Sequence, residues 1–109
     1  MIFLTNSGSL NMIGNYAEGN SLKRGKTYNL DHLLGLEDLK VCVNNTAVLN
    51  SISQTLGVKL TNNVPRIAIQ PGDKLYRIKS SGGVKEYKTD EVIPEGSVTF
   101  TLEEWISEK

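Results

Sequence analysis

Short apolar runs alternate with polar, glycine-containing segments along the chain, and most of these runs are typical of β-strands. Residues 1–5 form an apolar run that Asn-Ser-Gly at 6–8 ends abruptly, which predicts a core strand followed by a polar loop. Residues 98–102 predict a last strand, with Trp105 near its end. Between them, residues 14–26 contain three glycines among polar side chains and predict a loop.

The clearest β signal is a pair of runs, residues 66–70 and 75–79, that flank Pro-Gly-Asp at 71–73. Both runs alternate with period two, so that neighbouring side chains point to opposite faces. A proline followed by a glycine favours a tight turn. These residues therefore predict a β-hairpin, and residues 27–30 predict one further short strand.

One segment, residues 45–56, has the periodicity of an amphipathic α-helix. Val48, Ile52 and Leu56 recur every four residues, and polar side chains occupy the other faces. One of the two asparagines at its start can serve as the N-cap, and Gly57 stands where helices commonly end. This pattern predicts a helix that packs one stripe of side chains against the rest of the protein.

A weaker helical stretch covers residues 31–39, which Gly35 interrupts. Strands and helices are thus mixed without a regular βαβ alternation. The predicted fold class is α+β, with a small mixed β-sheet packed with helices in a single domain that spans residues 1–109. A chain of 109 residues can bury one modest core.

Composition narrows the possible functions. The 12 Lys and Arg balance the 12 Asp and Glu, which argues against a general nucleic-acid coat and against a duplex partner. One cysteine and one histidine provide neither an internal disulfide nor a Cys-based or two-His metal site, so we expect no metal and no cofactor. The N-terminal apolar run is too short to cross a membrane or to act as a signal peptide, so we expect a cytoplasmic protein without a membrane partner.

Three features that could carry chemistry each have an ordinary structural interpretation. His32 lies at the start of the weak helical stretch, where a surface histidine needs no partner. Cys42 lies between two valines, a position that is typical of a small buried apolar side chain. The positive charges of Lys23, Arg24 and Lys26 could bind phosphate, but they are more typical of a solvated loop.

Two polar segments are more suggestive when they are taken together. Asn6-Ser7 ends the first strand, and Asn44-Asn45-Thr46 opens the predicted helix, whose first N–H groups and dipole favour anions. Amide and hydroxyl side chains at both places could orient a nucleotide. Helix capping and turn formation would also explain each segment separately.

The opening residues, 3–13, resemble the N-terminal strand and loop of the viral ring nucleases, the type III anti-CRISPR proteins that degrade cyclic tetra-adenylate. Thr55-Leu56-Gly57 is similar to the end of the central helix of that family, and the spacing from Leu60 through Asn63 to Gly72-Asp73 is similar to its next strand and turn. The resemblance implies a small α+β protein that dimerises and binds a cyclic oligonucleotide across its two-fold axis.

The chain departs from the family at its functional residues. The family's central helix begins with Gly-His, and that histidine is its general acid; Asn44-Asn45 stands at this place, and an amide cannot transfer a proton near neutral pH. The family's Asn-Arg pair corresponds to Asn63-Val64, with Arg66 on the same face of the strand as the missing arginine. Its Gln-Arg pair falls on Gly82-Gly83, and its nearby glutamate corresponds to Glu86.

These departures predict a protein that binds without cleaving. Loss of a general acid slows hydrolysis by about 10²–10⁴-fold, whereas binding needs only shape, hydrogen bonds and some positive charge. We therefore expect a phage or mobile-element anti-defence protein, a homodimer or higher oligomer in the host cytoplasm, that sequesters a cyclic or ADP-ribose-type nucleotide immune signal. The predicted ligand-binding residues are Asn6, Ser7, Asn45, Thr46, Arg66, Lys79 and Glu86.

Two other functions remain open from the sequence. The first is a ring nuclease with a rearranged catalytic site, in which His32 or Glu86 replaces the missing acid. The second is a non-catalytic module that keeps the fold and binds a protein partner, for which an exposed apolar patch would be the sign.

Overall fold

The computed structural model describes residues 1–6, 21–65, 69–81, 93 and 98–108. Within them, five strands form one sheet, with one α-helix and one 3₁₀ helix beside it. The strands are β1 (Ile2–Asn6), β2 (Ser21–Asn29), β3 (Leu39–Cys42), β4 (Lys74–Ser81) and β5 (Thr99–Glu108). The 3₁₀ helix is Leu30–Gly35, and α1 is Thr46–Leu56.

The sheet is mixed, in the order β2-β5-β4-β1-β3. The central pairing is parallel, because β1 lies between β3 and β4 and runs in the same direction as both. The last strand, β5, is antiparallel to β4 on one side and to β2 on the other. The predicted α+β class with a mixed sheet is confirmed.

The two faces of the sheet bury different sets of side chains. The helix face packs against α1 and the 3₁₀ helix, and its strand residues include Leu4, Tyr76, Ile78 and Leu102. The second face has a smaller apolar cluster, formed by Phe3, Cys42, Ile69 and Leu75 with Val64 and Trp105 packed against it. Burying each large aliphatic side chain contributes about 1.5–3 kcal/mol, so among the described residues the helix face supplies most of the hydrophobic stabilisation.

The predicted helix is confirmed, together with both of its ends. The Asn45 side chain is the N-cap, and Gly57 adopts the left-handed conformation (φ +72°) that ends many helices. The buried stripe is wider than the predicted one: Ile52 is buried, but so are Ala47 and Leu49, whereas the two other predicted positions are only half-buried. The helix therefore lies on the sheet along its 47–49–52 side.

The predicted hairpin is wrong, although its turn is present. Gly72 has φ +91° and the N–H of Asp73 donates to the carbonyl of Gln70 (3.0 Å), as in a tight turn. However, both edges of β4 are occupied, by β1 and β5, and Ile69 and Gln70 lie outside the strands. The preceding residues, 66–68, lie outside the described part of the chain. The alternating pattern found a strand correctly but could not identify its partner.

The region predicted as a loop contains most of a strand. Residues 21–26, in the predicted loop 14–26, belong to β2. Of the predicted strand 27–30, residues 27–29 are the last part of β2 and Leu30 begins the 3₁₀ helix; residues 14–20 lie outside the described segments. A register shift between Arg24 and Thr27 accommodates Gly25. Long-range pairing with β5 overrides the weak local strand propensity.

The predicted weak helix 31–39 is shorter in the structure and belongs to another class. A 3₁₀ helix ends at Gly35, and the backbone turns at Asp38 (φ +53°) before β3 begins. The predicted last strand and the buried position of Cys42 are confirmed. Burial raises the pKa of the Cys42 thiol, as expected of a small core residue rather than a reactive one.

Asparagine side chains cover the outer edge of β3. The Asn63 amide accepts from the N–H of Val41 (2.7 Å) and donates to the carbonyl of Leu39 (2.9 Å). The Asn62 amide makes the same pair of bonds with the N–H (2.8 Å) and carbonyl (2.9 Å) of Val43. The Asn63 amide thus satisfies backbone groups of an edge strand that would otherwise need a neighbouring strand, and the Asn62 amide does the same for the residue directly after it.

Candidate functional site at the carboxyl ends of the parallel strands

The parallel arrangement brings the two predicted polar segments together. Because β1, β3 and β4 run in the same direction, their carboxyl ends meet at one edge of the sheet, where ligands commonly bind in sheets of this kind. Asn6 is the last residue of β1, and Asn44 lies between β3 and α1. The Asn6 Nδ2 donates to Asn44 Oδ1 across 2.6 Å. The end of the first strand is therefore joined to the start of the helix.

Asn45 performs the capping role that the sequence offered as the structural alternative. Its Oδ1 accepts from the N–H groups of Ala47 (3.0 Å) and Val48 (3.2 Å), and its own carbonyl accepts from Leu49 (3.1 Å). These bonds satisfy three of the donors at the start of α1. Thr46 follows as the first, exposed residue of the helix. The Asn45 oxygen is thus committed to the helix, and binding by its side chain would have to use the Nδ2 group.

Lys79 lies on the other face of the sheet from Asn6. Asn6 pairs with Ile78 in the β1–β4 ladder and shares its face, so the next residue along β4 points the opposite way. The Lys79 Nζ lies 3.9 Å from Oε2 of Glu103. Of the remaining predicted ligand-binding residues, Ser7, Arg66 and Glu86 lie outside the described residues. The structure thus joins Asn6 to the Asn44–Thr46 segment and separates Lys79 from them.

His32 has partners that the sequence did not reveal. Its ring stacks on Tyr28, with centroids 4.0 Å apart and planes 12° apart, and its Nε2 lies 3.2 Å from the Tyr76 hydroxyl. That hydroxyl donates to Oε2 of Glu104 (2.9 Å). The prediction of a surface histidine without a partner is therefore wrong. His32, Tyr76 and Glu104 lie in the 3₁₀ helix, β4 and β5, so no local spacing in the sequence could have predicted that they are neighbours.

The donors and acceptors of this network fix the proton positions. Tyr76 has one hydroxyl proton, which it gives to the Glu104 carboxylate, so its oxygen accepts from His32 and the proton of the neutral imidazole lies on Nε2. Burial, followed by the hydrogen bond and the negative charge of Glu104, raises the pKa of Tyr76 far above its ordinary value. The phenol thus stays protonated at neutral pH, and Nδ1 is the basic nitrogen of His32.

No group of three or more His, Cys, Asp or Glu residues in the described segments could hold a metal ion. Within the same part of the chain, no helix is long and apolar enough to cross a membrane.

Comparison with known proteins gives a likeness of fold. No family model matches the chain, and no curated protein matches it in sequence. Among solved structures, it is similar to B116 of Sulfolobus turreted icosahedral virus. The two superpose with a TM-score of 0.61 over 96% of this chain and 97% of that one, at 19% identity. At this identity the similarity shows a shared fold.

Proposed function

We propose that this protein binds an anionic nucleotide signal, of the cyclic or ADP-ribose type, at the carboxyl ends of β1 and β3 and holds it without cleaving it. The hydrogen bond between Asn6 and Asn44 carries the proposal, because it joins two polar segments at the edge where such sheets bind ligands. The amino end of α1 adds a positive dipole beside them. Sequestration of this kind would make the protein an anti-defence factor of a phage or mobile element.

The chemistry of Asn45 favours retention over hydrolysis. Where the resembled family has its general acid, this chain has an amide whose oxygen already caps the helix. An amide has no proton to give near neutral pH, so the ligand meets hydrogen-bond donors and acceptors but no acid at this position. The scaffold shared with a viral protein over nearly the whole chain is compatible with such a small binder.

Retention and release of an intact nucleotide tests this proposal. The protein is incubated with a panel of cyclic dinucleotides, cyclic oligoadenylates and cyclic ADP-ribose isomers, filtered, and then heated to release what it holds. We expect one intact nucleotide to be recovered by mass spectrometry. Asn6→Ala and Asn44→Ala should lose most of it, whereas Asn50→Ala, an exposed position on α1, should retain it. If no member of the panel is retained, or if these three variants behave alike, the proposal is wrong.

A second candidate function is cleavage of the same ligand class, and the network of His32, Tyr76 and Glu104 favours it. A histidine held in one tautomer by a buried carboxylate through a hydroxyl is organised as a general acid–base group would be. Linear products formed at substoichiometric protein, and lost in His32→Gln, would establish this function instead. Intact recovery at every protein concentration would exclude it.

We also propose that the protein acts as a two-fold symmetric homodimer, since a ligand with two similar halves is bound best by one self-complementary site. Light scattering after size exclusion should then give twice the 12.0 kDa mass of the chain, and a mass of one chain in the presence of ligand would contradict the dimer.

A further inference from the structure

Three positive side chains meet around one carboxylate on the second face of the sheet. In the strand register, Arg77 of β4 lies directly opposite Glu103 of β5, and Arg24 of β2 lies opposite Trp105. Lys79 is two residues beyond Arg77 and shares its face. Residues from three adjacent strands thus form what we call the Glu103 cluster, which consists of Arg24, Arg77, Lys79, Glu103 and Trp105.

Glu103 is surrounded by donors on both carboxylate oxygens. Its Oε1 accepts from the indole N–H of Trp105 (2.7 Å), and its Oε2 lies 3.2 Å from the Arg24 guanidinium. Arg77 and Lys79 stand farther away, at 4.0 and 3.9 Å, beyond hydrogen-bond length. Arg24 and Trp105 alone give this carboxylate a close partner on each oxygen, so Lys79 is not needed to satisfy it.

Burial divides the cluster by charge. The Glu103 side chain is only 6% exposed, whereas the side chains of Arg24 and Lys79 are 59% and 45% exposed. The negative group is therefore inside, and Arg24 and Lys79 reach the surface, whereas the Arg77 side chain is only 18% exposed. Although the whole chain has no net charge, the described residues of this part of the sheet present the positive charges of Arg24 and Lys79 to solvent.

We propose that the Glu103 cluster is a binding site for a compact phosphate anion, such as the diphosphate group of a small nucleotide. The strand register sets the arginines and the lysine side by side on one face, so an anion would not have to bring their strands together, and the Glu103 carboxylate is the group that competes with the anion for them. Guanidinium groups match phosphate oxygens in geometry and charge. The cluster is confined to three short strand segments, so it suits one or two phosphoryl groups rather than the extended backbone of a nucleic acid.

This site stands independently of the proposed function. Asn6 lies on the helix face of the sheet, whereas the Glu103 cluster lies on the second face. Asn6→Ala is therefore expected to leave anion binding at the cluster unchanged. Failure of one proposal then leaves the other intact.

Titration with inorganic pyrophosphate tests the site. Trp105 is the only tryptophan in the chain and its indole donates to Glu103, so its fluorescence reports directly on the cluster. We expect a saturable fluorescence change, with a matching calorimetric signal, that weakens as ionic strength rises. No change up to about 10 mM pyrophosphate, roughly the weakest affinity that a charged site of this size would give, would overturn the proposal.

Single substitutions separate an anion site from a merely structural ion cluster. Arg24→Ala and Lys79→Ala should each weaken pyrophosphate binding by about tenfold, as the loss of a charge-assisted contact does. Lys74→Ala is the matched control, because Lys74 is an exposed lysine of the same strand on the other face, and it should bind as the parent does. Circular dichroism establishes that each variant is folded. If folded Arg24→Ala and Lys79→Ala bind pyrophosphate as tightly as Lys74→Ala does, the cluster is structural only.

The substitution Glu103→Gln should change the affinity for pyrophosphate in the opposite direction to Arg24→Ala and Lys79→Ala. Glutamine keeps an oxygen for the Trp105 N–H but removes the negative charge, so the surrounding cations become more available to an anion. Pyrophosphate should then bind several-fold more tightly. Weaker or unchanged binding by folded Glu103→Gln would contradict the role given to the carboxylate and overturn the proposal.

Discussion

The hydroxyl of Tyr76 donates its proton to Glu104 across 2.9 Å, and this bond joins the middle strand of the sheet to its antiparallel neighbour beneath the 3₁₀ helix. Both residues are buried, with 1% and 6% of their surfaces exposed. Because His32 meets the same hydroxyl, the phenol is the central member of a network that attaches the 3₁₀ helix to the sheet.

Tyr76→Phe should lower the free energy of unfolding by about 1–3 kcal/mol, because it leaves the buried Glu104 carboxylate without this donor. Urea denaturation followed by circular dichroism measures the change. In a Glu104→Gln background position 104 carries no buried charge, so the same Tyr76→Phe substitution should cost less. Equal costs in the two backgrounds would show that the hydrogen bond to the carboxylate is not the source of the loss.

The raised pKa of Tyr76 predicts an alkaline dependence of stability. The folded protein holds the phenolic proton more tightly than the unfolded chain does, so this contribution is fully present below the unfolded pKa, about 10. It is lost as pH rises above that value towards the folded pKa, at up to about 1.4 kcal/mol per pH unit. Denaturation midpoints between pH 9 and about 11.5 should therefore fall more steeply for the parent protein than for Tyr76→Phe. Parallel curves for the two proteins would contradict this prediction.

Gly25→Ala should destabilise the fold because a β-carbon at Gly25 would collide with the Glu104 carboxylate. Glu104 cannot easily move aside, since Tyr76 holds its other oxygen. We expect a loss of about 1–3 kcal/mol, as in other overpacked sites. Gly35→Ala is the matched control, because nothing lies within 4 Å of a β-carbon there, and it should change stability by less than about 0.5 kcal/mol. Similar losses at both glycines would argue against the collision.

Two substitutions of Asn45 separate helix capping from ligand binding. Asn45→Asp and Asn45→Ser both keep a favourable N-cap, so both should unfold within about 0.5 kcal/mol of the parent, whereas Asn45→Ala should lose about 0.5–2 kcal/mol. Only Asn45→Asp adds a negative charge beside the proposed nucleotide. It should therefore retain less nucleotide than Asn45→Ser in the heat-release assay, and equal retention would place the ligand elsewhere.

The sequence predicted those parts of the fold that local signals determine. The apolar run of β1, the cap and terminal glycine of α1, and the turn at Gly72 each depend on neighbouring residues, and each is present. The hairpin prediction was wrong because β4 pairs with β1 and β5. Which strands pair with one another depends on long-range packing, which local sequence does not determine. The same limit explains why most of β2 was predicted as a loop: its glycine and its charged side chains are typical of loops, and only its pairing with β5 makes it a strand.

The candidate site was predicted in part for the same reason. Asn6 and the 44–46 segment were identified from the ends of two elements, and parallel pairing of β1 with β3 then brings them together. The Glu103 cluster and the Tyr76 network could not be found in this way. Their members lie on three different elements each, and only the register of the folded sheet makes them neighbours.

The amides of Asn62 and Asn63 also bear on the resistance of the protein to aggregation. By occupying the backbone groups of β3, they deny an incoming chain the template on which intermolecular β-aggregates grow. At the opposite border of the sheet that the described strands form, β2 carries Lys23, Arg24 and Lys26, whose like charges repel a second copy of the same strand. One border is thus protected by hydrogen bonds and the other by charge, so that only the first protection persists in high salt.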